Sequence, residues 1–372
     1  MKYSQFIPAD FAERDRRWKN VQREIIAQGL DAIIVVSDGH FSRRANFRYI
    51  TNCLDHAHEG WHFAIIPAEG KITALNCNDG WLEDENRRSV PYRGTWLPET
   101  ELYAKYLIEI LLEKGLEKAK IGIDNDYIPW TIYRNLLWAM PNAMFVDSNI
   151  VMKLRNIKSP YEIEHIHKSA AMLDNGYEAL LKKAHLGMTW NQVTSLVTEE
   201  IFASGGEVLG GFELSRSNEI IGRGDTYVYY PEMGGSMGYW VQMGRVAAFG
   251  ESDKSLEEDW ELNIKAQTAA AELLRPGYTG SDVAQAVADV LKGSRYEAAA
   301  RSSGHGMGLS GPERPWISAD DQTQIVPNML VVIHPAVNPK HPKFQGNAET
   351  YLTTCGAPVK LSKHGAELRV IE

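Results

Sequence analysis

Helix-length and strand-length apolar patterns alternate through the first 150 residues. Apolar side chains recur at helical spacing in Asp10–Gln28 and Glu99–Glu113, which predicts two amphipathic helices. Short apolar runs typical of buried strands lie between and after them, at Leu30–Val36, Lys120–Asp124 and Ala143–Asp147. Since strands alternate with helices, we expect a mixed α/β domain over residues 1–150.

Two further features of the sequence predict a hairpin in the first domain and the start of a second domain. Strand-like segments His62–Ile66 and Lys71–Asn76 flank Pro67-Ala68-Glu69-Gly70, which predicts a hairpin. The polar segment Asp147–Pro160 is typical of a linker, and the pattern of Tyr161–Lys183 predicts a long helix. We therefore expect a second domain over residues 151–372.

The second half contains an internal repeat. Gly, Thr, Val and Val occur at the same spacing in two places, each after an Ala- and Leu-rich helical segment: Gly187, Thr189, Val193 and Val197, then Gly277, Thr279, Val283 and Val287. In each copy the glycine can end one helix, the threonine can cap the next, and the valines four residues apart face one side. The repeat predicts two similar helix-plus-sheet halves with a site along their shared axis.

Composition narrows the functional classes. Hydrophobic residues make up 44% of the chain, charged residues 23%, and the net charge is −9. This composition is typical of a globular protein. The negative net charge argues against electrostatic binding to nucleic acid or acidic lipid. Apolar runs are too short to span a bilayer, and the N-terminus lacks the apolar core of a signal peptide. Three widely separated cysteines favour a reducing cytoplasm over a disulfide framework.

Three segments carry residues suited to catalysis. Ser303-Gly304-His305-Gly306-Met307 places a histidine between glycines, which give the backbone freedom for a close approach to the imidazole. The apolar run before His334 predicts a buried strand that ends at Pro335. Glu349 lies at the start of a further predicted strand. Taken alone, His305 fits a site and a glycine-rich turn equally well, His334 is more typical of a core histidine, and Glu349 is more typical of a surface acid.

The order of these motifs resembles the pita-bread superfamily of creatinase, prolidase, aminopeptidase P and methionine aminopeptidase. The resemblance rests on Asn46-Phe47-Arg48-Tyr49, Arg155-Asn156-Ile157-Lys158, Gly238-Tyr239 with Arg245, and Gly304-His305-Gly306-Met307-Gly308. It implies a creatinase-like α/β N-terminal domain and an α+β pita-bread domain with a pseudo-twofold repeat. It also implies a homodimer, in which an N-terminal loop carrying His56, His58 and Glu59 completes the partner's site.

The metal site of the superfamily is altered in this chain. Family peptidases hold two divalent ions with two Asp, one His and two Glu. Here Tyr230-Pro231-Glu232 occupies the first Asp region, Gln242 stands at the second Asp position, and His334 replaces the first Glu. His305 and Glu349 match the family pattern. Since an amide cannot bridge two cations as a carboxylate does, we expect no two-metal centre and no two-metal aminopeptidase activity.

Three functions remain open. The first is creatinase-like hydrolysis of, or elimination across, a C–N bond in a small polar metabolite, with His305, His334 and Glu349 in acid–base roles and no cofactor. The second is a mononuclear metal lyase or hydrolase, in which the same three residues bind one divalent ion. The third is a binding module without catalysis. By resemblance, the substrate-binding candidates are Tyr230, Glu232, Gln242, Arg314 and the loop with His56, His58 and Glu59.

Overall fold

The computed structural model describes residues 5–38, 40, 43–53, 60–91, 99–124, 127–210, 218–297, 302–335 and 346–372. The chain forms two compact units, Met1–Arg155 and Asn156–Glu372. The predicted boundary after residue 150 lies within a helix rather than between elements. Among the described residues, no helix is both long enough and apolar enough to span a membrane.

The N-terminal unit is built around a mixed six-stranded sheet. Its helices are α1 Pro8–Ala27, α2 Ala45–Thr51, α3 Thr100–Glu113, α4 Trp130–Ala139 and α5 Ile150–Asn156, the last of which reaches the unit boundary. Its strands are β1 Ala32–Ser37, β2 His62–Pro67, β3 Thr73–Leu75, β4 Arg87–Arg88, β5 Lys120–Asp124 and β6 Met144–Ser148. The spatial order is β4-β3-β2-β1-β5-β6, which confirms the predicted α/β class.

The central strands of this sheet follow from their sequence. Every residue of β1 is buried, and β1 runs parallel to β5 and antiparallel to β2. A strand buried on both faces needs a continuous apolar run, and Ala32–Val36 supplies it. The predicted turn at Pro67–Gly70 is confirmed, because β2 and β3 pair antiparallel on either side of it.

The segment Asp147–Pro160, predicted as a linker, contains the boundary between the two units but is structured rather than irregular. It completes β6, forms α5, and ends at Ser159, the N-cap of the next helix. Lys158 is buried in spite of its charge, because its ammonium group donates to a buried carboxylate of the C-terminal unit. The charge of Lys158 is therefore paired inside the protein rather than exposed to solvent.

The C-terminal unit has four helices and ten strands among its described residues. The helices are α6 Pro160–Lys183, α7 Trp190–Ala203, α8 Lys254–Ala271 and α9 Gly280–Leu291. The strands are β7 Val208–Gly210, β8 Thr226–Tyr229, β9 Glu232–Gly234, β10 Trp240–Phe249, β11 Ser302–Gly306, β12 Glu313–Ser318, β13 Leu330–Ile333, β14 Ala348–Leu352, β15 Val359–Lys360 and β16 Arg369–Ile371. The main strand order is β12-β11-β13-β14-β10-β9-β7.

The internal repeat is confirmed in three dimensions. Thr189 and Thr279 are the N-caps of α7 and α9, and each side chain accepts from the backbone N–H three residues later. Each threonine also forms an isolated antiparallel bridge, to Ile220 in one copy and to Gln324 in the other. All four valines of the repeat are fully buried. The two sequence copies therefore encode the same cap, helix and core contact.

Helices cover one face of this sheet. Ile317, Val331 and Ile333 pack in one core cluster with α8 and α9. At β8, the Tyr229 hydroxyl donates to the Leu173 carbonyl of α6 at 2.6 Å. Because side chains alternate along a strand and paired residues point the same way, these contacts define a helix-covered face. We call the opposite side, which carries His305, Thr350 and Gln242, the site face.

Candidate functional site

Two histidines meet on the site face. His305 lies in β11 and pairs with Val332 of β13, so both side chains point to the same side. His334 lies two residues beyond Val332 and returns to that side. The two imidazole ring centres are 5.1 Å apart, with a 63° angle between the ring planes. The sequence-based pairing of these residues is thus supported by the geometry.

Both imidazoles are held neutral. Nδ1 of His305 is 2.9 Å from the Gly306 carbonyl oxygen, and because a carbonyl only accepts, this nitrogen carries the hydrogen and Nε2 keeps its lone pair. Burial lowers the pKa of His305, opposed by this hydrogen bond and the charge of Glu313. Burial, with a smaller effect from His305, lowers the pKa of His334 to about 3. At neutral pH both rings are therefore unprotonated.

The glycines beside His305 serve strand packing. A Cβ on Gly304 would lie 2.1 Å from the carbonyl oxygen of Val332, and one on Gly306 would lie 2.2 Å from that of Arg314. No real Cβ tolerates such a distance, so these two positions allow β13 and β12 to approach β11 from either side. The expectation that the glycines expose the imidazole is replaced by a structural role in placing it.

Glu349 does not join the two histidines. It pairs with Ile333, the residue between Val332 and His334, and therefore points to the helix-covered face. There its Oε2 accepts from the Arg245 guanidinium at 2.5 Å, and its Oε1 accepts from the Ser362 N–H at 3.3 Å. Burial raises the pKa of Glu349 and the Arg245 charge opposes this. The carboxylate predicted to act beside the imidazoles is therefore placed on the other face, bonded to Arg245 and Ser362.

A threonine takes the equivalent place on the site face. Thr350 pairs with Val332, and its Oγ1 lies 3.8 Å from the sulfur of Met307, which is two residues beyond His305. The same hydroxyl donates to the Gln242 carbonyl at 2.8 Å and accepts from the Gln242 N–H at 3.0 Å. The strand that was expected to supply a carboxylate thus supplies a hydroxyl, already hydrogen-bonded to β10.

Three further candidates lie together at β9 and β10. Glu232 and Gln242 are directly opposite each other in the antiparallel pairing, so their side chains share the site face. The Gln242 side chain hydrogen-bonds the Tyr230 hydroxyl. Burial raises the pKa of both Tyr230 and Glu232. Oε1 of Glu232 and Oε1 of Gln242 are buried, and neither has a hydrogen-bond partner among the described residues.

Arg314 is engaged elsewhere. Its Nη1 donates to Oδ2 of Asp321 at 2.8 Å, and that carboxylate also accepts from the Trp316 N–H. About half of the Arg314 side chain is exposed. This contact is an ion pair between a half-exposed arginine and a buried aspartate, away from the two histidines. His56, His58 and Glu59 lie outside the described residues.

An ion pair that the sequence did not predict lies next to His305. Glu313 pairs with Gly306, and its carboxylate accepts from the Lys158 ammonium at 2.6 Å, with both side chains buried. The signal was present, since Gly311-Pro312 marks a turn that brings the following strand back beside β11. The sequence alone could not reveal that Lys158 is the partner of Glu313. The negative charge of Glu313 favours the protonated form of His305.

The described side chains around the two histidines do not form a metal-binding cluster. Within the described ranges, no group of three or more His, Cys, Asp or Glu side chains is placed to hold a metal ion. His305 and His334 form a pair, while Glu349 bonds to Arg245 on the other face. The set of two histidines and one carboxylate expected for a single ion is therefore not assembled by these residues.

Comparison with known proteins agrees with this architecture. Creatinase from a Bacillus species is 25% identical over 365 residues, covering 87% of this chain and 83% of that enzyme. An X-Pro aminopeptidase structure from Thermotoga maritima has a TM-score of 0.78 and 17% identity, covering 95% of this chain and 99% of its own. Dipeptidase PepE from Mycobacterium ulcerans also gives 0.78, with 20% identity over 97% of this chain and 99% of its own.

Family patterns cover both units of the chain. The pattern of the creatinase/prolidase N-terminal domain matches residues 17–157. That of metallopeptidase family M24 matches residues 164–357, which is more than half of the chain. With the pita-bread sheet, its internal repeat and the creatinase relative, these matches identify the family: the chain belongs to metallopeptidase family M24, with a creatinase/prolidase N-terminal domain.

Proposed function

We propose that this chain hydrolyses a C–N bond of a small polar compound by acid–base chemistry at His305 and His334. The observation that carries the proposal is the pair of imidazoles, 5.1 Å apart on the site face and neutral at pH 7. An unprotonated imidazole has a lone pair that can take a proton from water, and the Glu313 charge and the Gly306 carbonyl favour the protonated form at His305. The family relationship supports the wider assignment to a hydrolase.

Charge argues against a pair of divalent ions. Two such ions carry four positive charges and are normally held by several carboxylates. Of the polar side chains that we assign to the site face among the described residues, one is a carboxylate: Glu232, with Gln242, His305 and His334 neutral. These side chains do not fit two bridged ions, and the proposed reaction uses none.

The proposed reaction needs one proton acceptor and one proton donor. A neutral imidazole takes a proton from water as the oxygen attacks the carbon of the C–N bond. The resulting imidazolium returns a proton to the nitrogen as the C–N bond breaks, so the products gain one C–O and one N–H bond. His305 suits the first step because Nδ1 donates to the Gly306 carbonyl and Nε2 is left to accept. Glu313, held by Lys158, stabilises the charged intermediate.

The single-metal alternative lacks the carboxylate ligand that it requires. It requires Glu349 beside both histidines, whereas the Glu349 carboxylate is bonded to Arg245 and Ser362. Two imidazoles alone leave a divalent ion with two protein ligands, fewer than the three that a catalytic zinc site normally has. The acid–base mechanism needs no third ligand, and we prefer this mechanism for that reason.

Metal analysis combined with an activity screen tests the proposal. The chain is purified without added metal, its metal content is measured, and release of amine or ammonia is followed for amides, ureido compounds, amidino compounds and dipeptides. We expect substoichiometric metal, and turnover of a non-peptide compound that survives a chelator. Two tightly bound ions per chain, or dipeptide hydrolysis that a chelator abolishes and metal restores, would overturn it. His185→Ala, which changes an exposed histidine, is the control for the site variants.

A further inference from the structure

Two cysteines that are distant in the sequence meet in the N-terminal unit. Cys53 follows the end of α2, Cys77 follows the end of β3, and the two thiols are hydrogen-bonded to each other. Cys53 is 8% exposed and Cys77 is 1% exposed, and neither forms a disulfide. The pair is therefore a dithiol whose sulfur groups are already in contact inside the fold.

The backbone before each cysteine turns in the same uncommon way. Asn52 and Asn76 both adopt the left-handed conformation, with φ of 47° and 60°. A positive φ is uncommon for residues other than glycine, and it persists where neighbouring contacts hold it. Here the Asn52 N–H donates to the Arg48 carbonyl and the Asn76 N–H donates to the Arg88 carbonyl, each at 2.7 Å. The two turns therefore fix the positions of the cysteines that follow them.

Close backbone contact holds the two cysteine-bearing segments side by side. The Trp81 N–H donates to the Thr51 carbonyl at 3.0 Å. A Cβ on Gly80 would lie 2.3 Å from the Thr51 carbonyl oxygen and 3.0 Å from the backbone nitrogen of Cys53, so this approach requires glycine. The Arg87 guanidinium donates to the Gly80 carbonyl at 3.2 Å. The fold thus keeps the thiols together instead of leaving their encounter to motion of the chain.

We propose that Cys53 and Cys77 form a reversible oxidation site, in which a peroxide converts the two thiols into one disulfide bond. Thiols that a fold holds together have a high effective concentration, which favours the bond between them. In a reducing compartment, disulfides of this kind are usually transient and report the redox state. The site is separate from the histidine pair, so it does not depend on the proposed function.

The reaction has two steps, in which different sulfur atoms are the nucleophile. The sulfur of Cys53, the more exposed thiol, attacks one oxygen of hydrogen peroxide. The O–O bond breaks, a sulfenic acid forms, and the other oxygen leaves as water with the thiol proton. The Cys77 sulfur then attacks the Cys53 sulfur, the S–S bond forms as the S–O bond breaks, and a second water leaves with the Cys77 proton. Each sulfur is oxidised by one electron, and the peroxide is reduced to two waters.

The surroundings of Cys77 suit it to the second step. The hydrogen bond with Cys53, together with burial, raises the pKa of the Cys77 thiol, and the charge of Arg87 opposes this. The Cys77 thiol also donates to the Asp79 carbonyl at 3.2 Å. Because the thiolate is the nucleophile, a thiol that keeps its proton reacts slowly with peroxide. Cys77 is thereby preserved until Cys53 has been oxidised.

Equilibration with glutathione tests whether the fold favours this bond. The full chain with Cys355→Ser, which removes the exposed third thiol, is equilibrated with reduced and oxidised glutathione, in buffer and in urea. Free thiols are alkylated, and the linked Cys53–Cys77 peptide is quantified by mass spectrometry. We expect the equilibrium constant for bond formation to be at least about tenfold larger in the native protein than in the urea-unfolded chain. An equal or smaller constant in the native protein would overturn the proposal.

Peroxide treatment of three proteins assigns the two sulfur atoms. The chain with Cys355→Ser should lose two hydrogen atoms, form the bond within one chain, and regain both thiols with dithiothreitol. With Cys77→Ser added, Cys53 should stop at the sulfenic acid, which dimedone traps. With Cys53→Ser added, dimedone labelling of Cys77 should be at least about tenfold lower, compared at equal folded fraction by circular dichroism. Equal labelling of these two variants would overturn the order of the steps.

The exposed cysteine provides the internal control. In the parent chain, Cys355 should be oxidised by the same peroxide dose, since it is exposed. If both buried thiols stayed free in the native protein at a dose that oxidises Cys355, or if the bond formed between chains instead of within one, there would be no oxidation site at Cys53 and Cys77.

Discussion

The guanidinium of Arg245 lies 2.5 Å from the carboxylate of Glu349, and both side chains are almost completely buried. Arg245 also donates to the carbonyls of Gly244, Ala348, His364 and Gly365 and to the Ser362 hydroxyl. The pair thereby joins β10 and β14 to the segment that follows β15. On this evidence Glu349 holds the sheet together behind the site rather than acting within it.

Truncation of this carboxylate should destabilise the protein strongly. Glu349→Ala leaves the Arg245 charge buried without its partner, so we expect the free energy of unfolding to fall by about 3–5 kcal/mol. Urea denaturation followed by circular dichroism measures the change. Removing both charges with Arg245→Met and Glu349→Leu together should cost less than the single truncation, because no charge is then left unpaired.

An exposed carboxylate provides the comparison for that experiment. Glu261→Ala should change the free energy of unfolding by less than about 0.5 kcal/mol, since its side chain is 71% exposed. If Glu349→Ala and Glu261→Ala gave similar stabilities, the buried pair would not have the structural role assigned to it.

Strand register explains why the sequence misplaced Glu349. The pattern of apolar residues correctly predicted β13, which ends just before His334, and β14, which carries Glu349 near its start. A shift of one residue in the pairing of two strands moves every side chain to the opposite face of the sheet. The register therefore decides which side chains lie together. The observed register pairs Ile333 with Glu349 and Val332 with Thr350, and family motifs alone carry no such information.

Local signals were sufficient for most of the fold. Lys120–Asp124 was predicted as a strand and is β5, and the threonine caps of α7 and α9 were visible in the repeat. The predicted linker Asp147–Pro160 contains the boundary between the two units, but it is structured as the end of β6 and as α5 rather than irregular. Lys158 reaches Glu313, which is distant in sequence, and composition cannot reveal a partner of that kind.

The pH dependence of stability should report the burial of His334. Its pKa is lowered from 6.5 to about 3 by folding, so the unfolded chain binds a proton in this window that the folded chain does not. This contribution to stability is present above pH 6.5 and is lost progressively as the pH falls towards 3. Between pH 7 and pH 5, the parent should lose about 2 kcal/mol more than His334→Gln.

Urea titrations of the parent and of His334→Gln at the two pH values measure this difference. His185→Gln, at an exposed histidine, should follow the parent. Parallel pH profiles for the parent and His334→Gln would show that the imidazole of His334 ionises normally in the folded protein, against its buried environment.

The glycines around His305 should tolerate no side chain. Gly304→Ala and Gly306→Ala place a Cβ within 2.1 Å and 2.2 Å of carbonyl oxygens on β13 and β12, and these backbone atoms can move only by separating the strands. We expect each variant to lose at least about 1–3 kcal/mol of stability. Gly222→Ala is the control, because its nearest heavy atom would lie at an ordinary 3.7 Å. Equal stability of all three variants would refute the packing role.

Turnover should depend on the two imidazoles and much less on Glu349. For the compound identified in the activity screen, His305→Ala and His334→Ala should each reduce kcat by about a hundredfold to ten-thousandfold, the usual contribution of a positioned acid or base. Glu349→Gln keeps the shape of a side chain that bonds to Arg245 and Ser362, so kcat per folded molecule should change only a few-fold. His185→Ala should match the parent. Glu349 lies on the opposite face from both histidines. If Glu349→Gln lost as much kcat as His334→Ala at an unchanged folded fraction, the carboxylate would take part in the reaction and the register argument would fail.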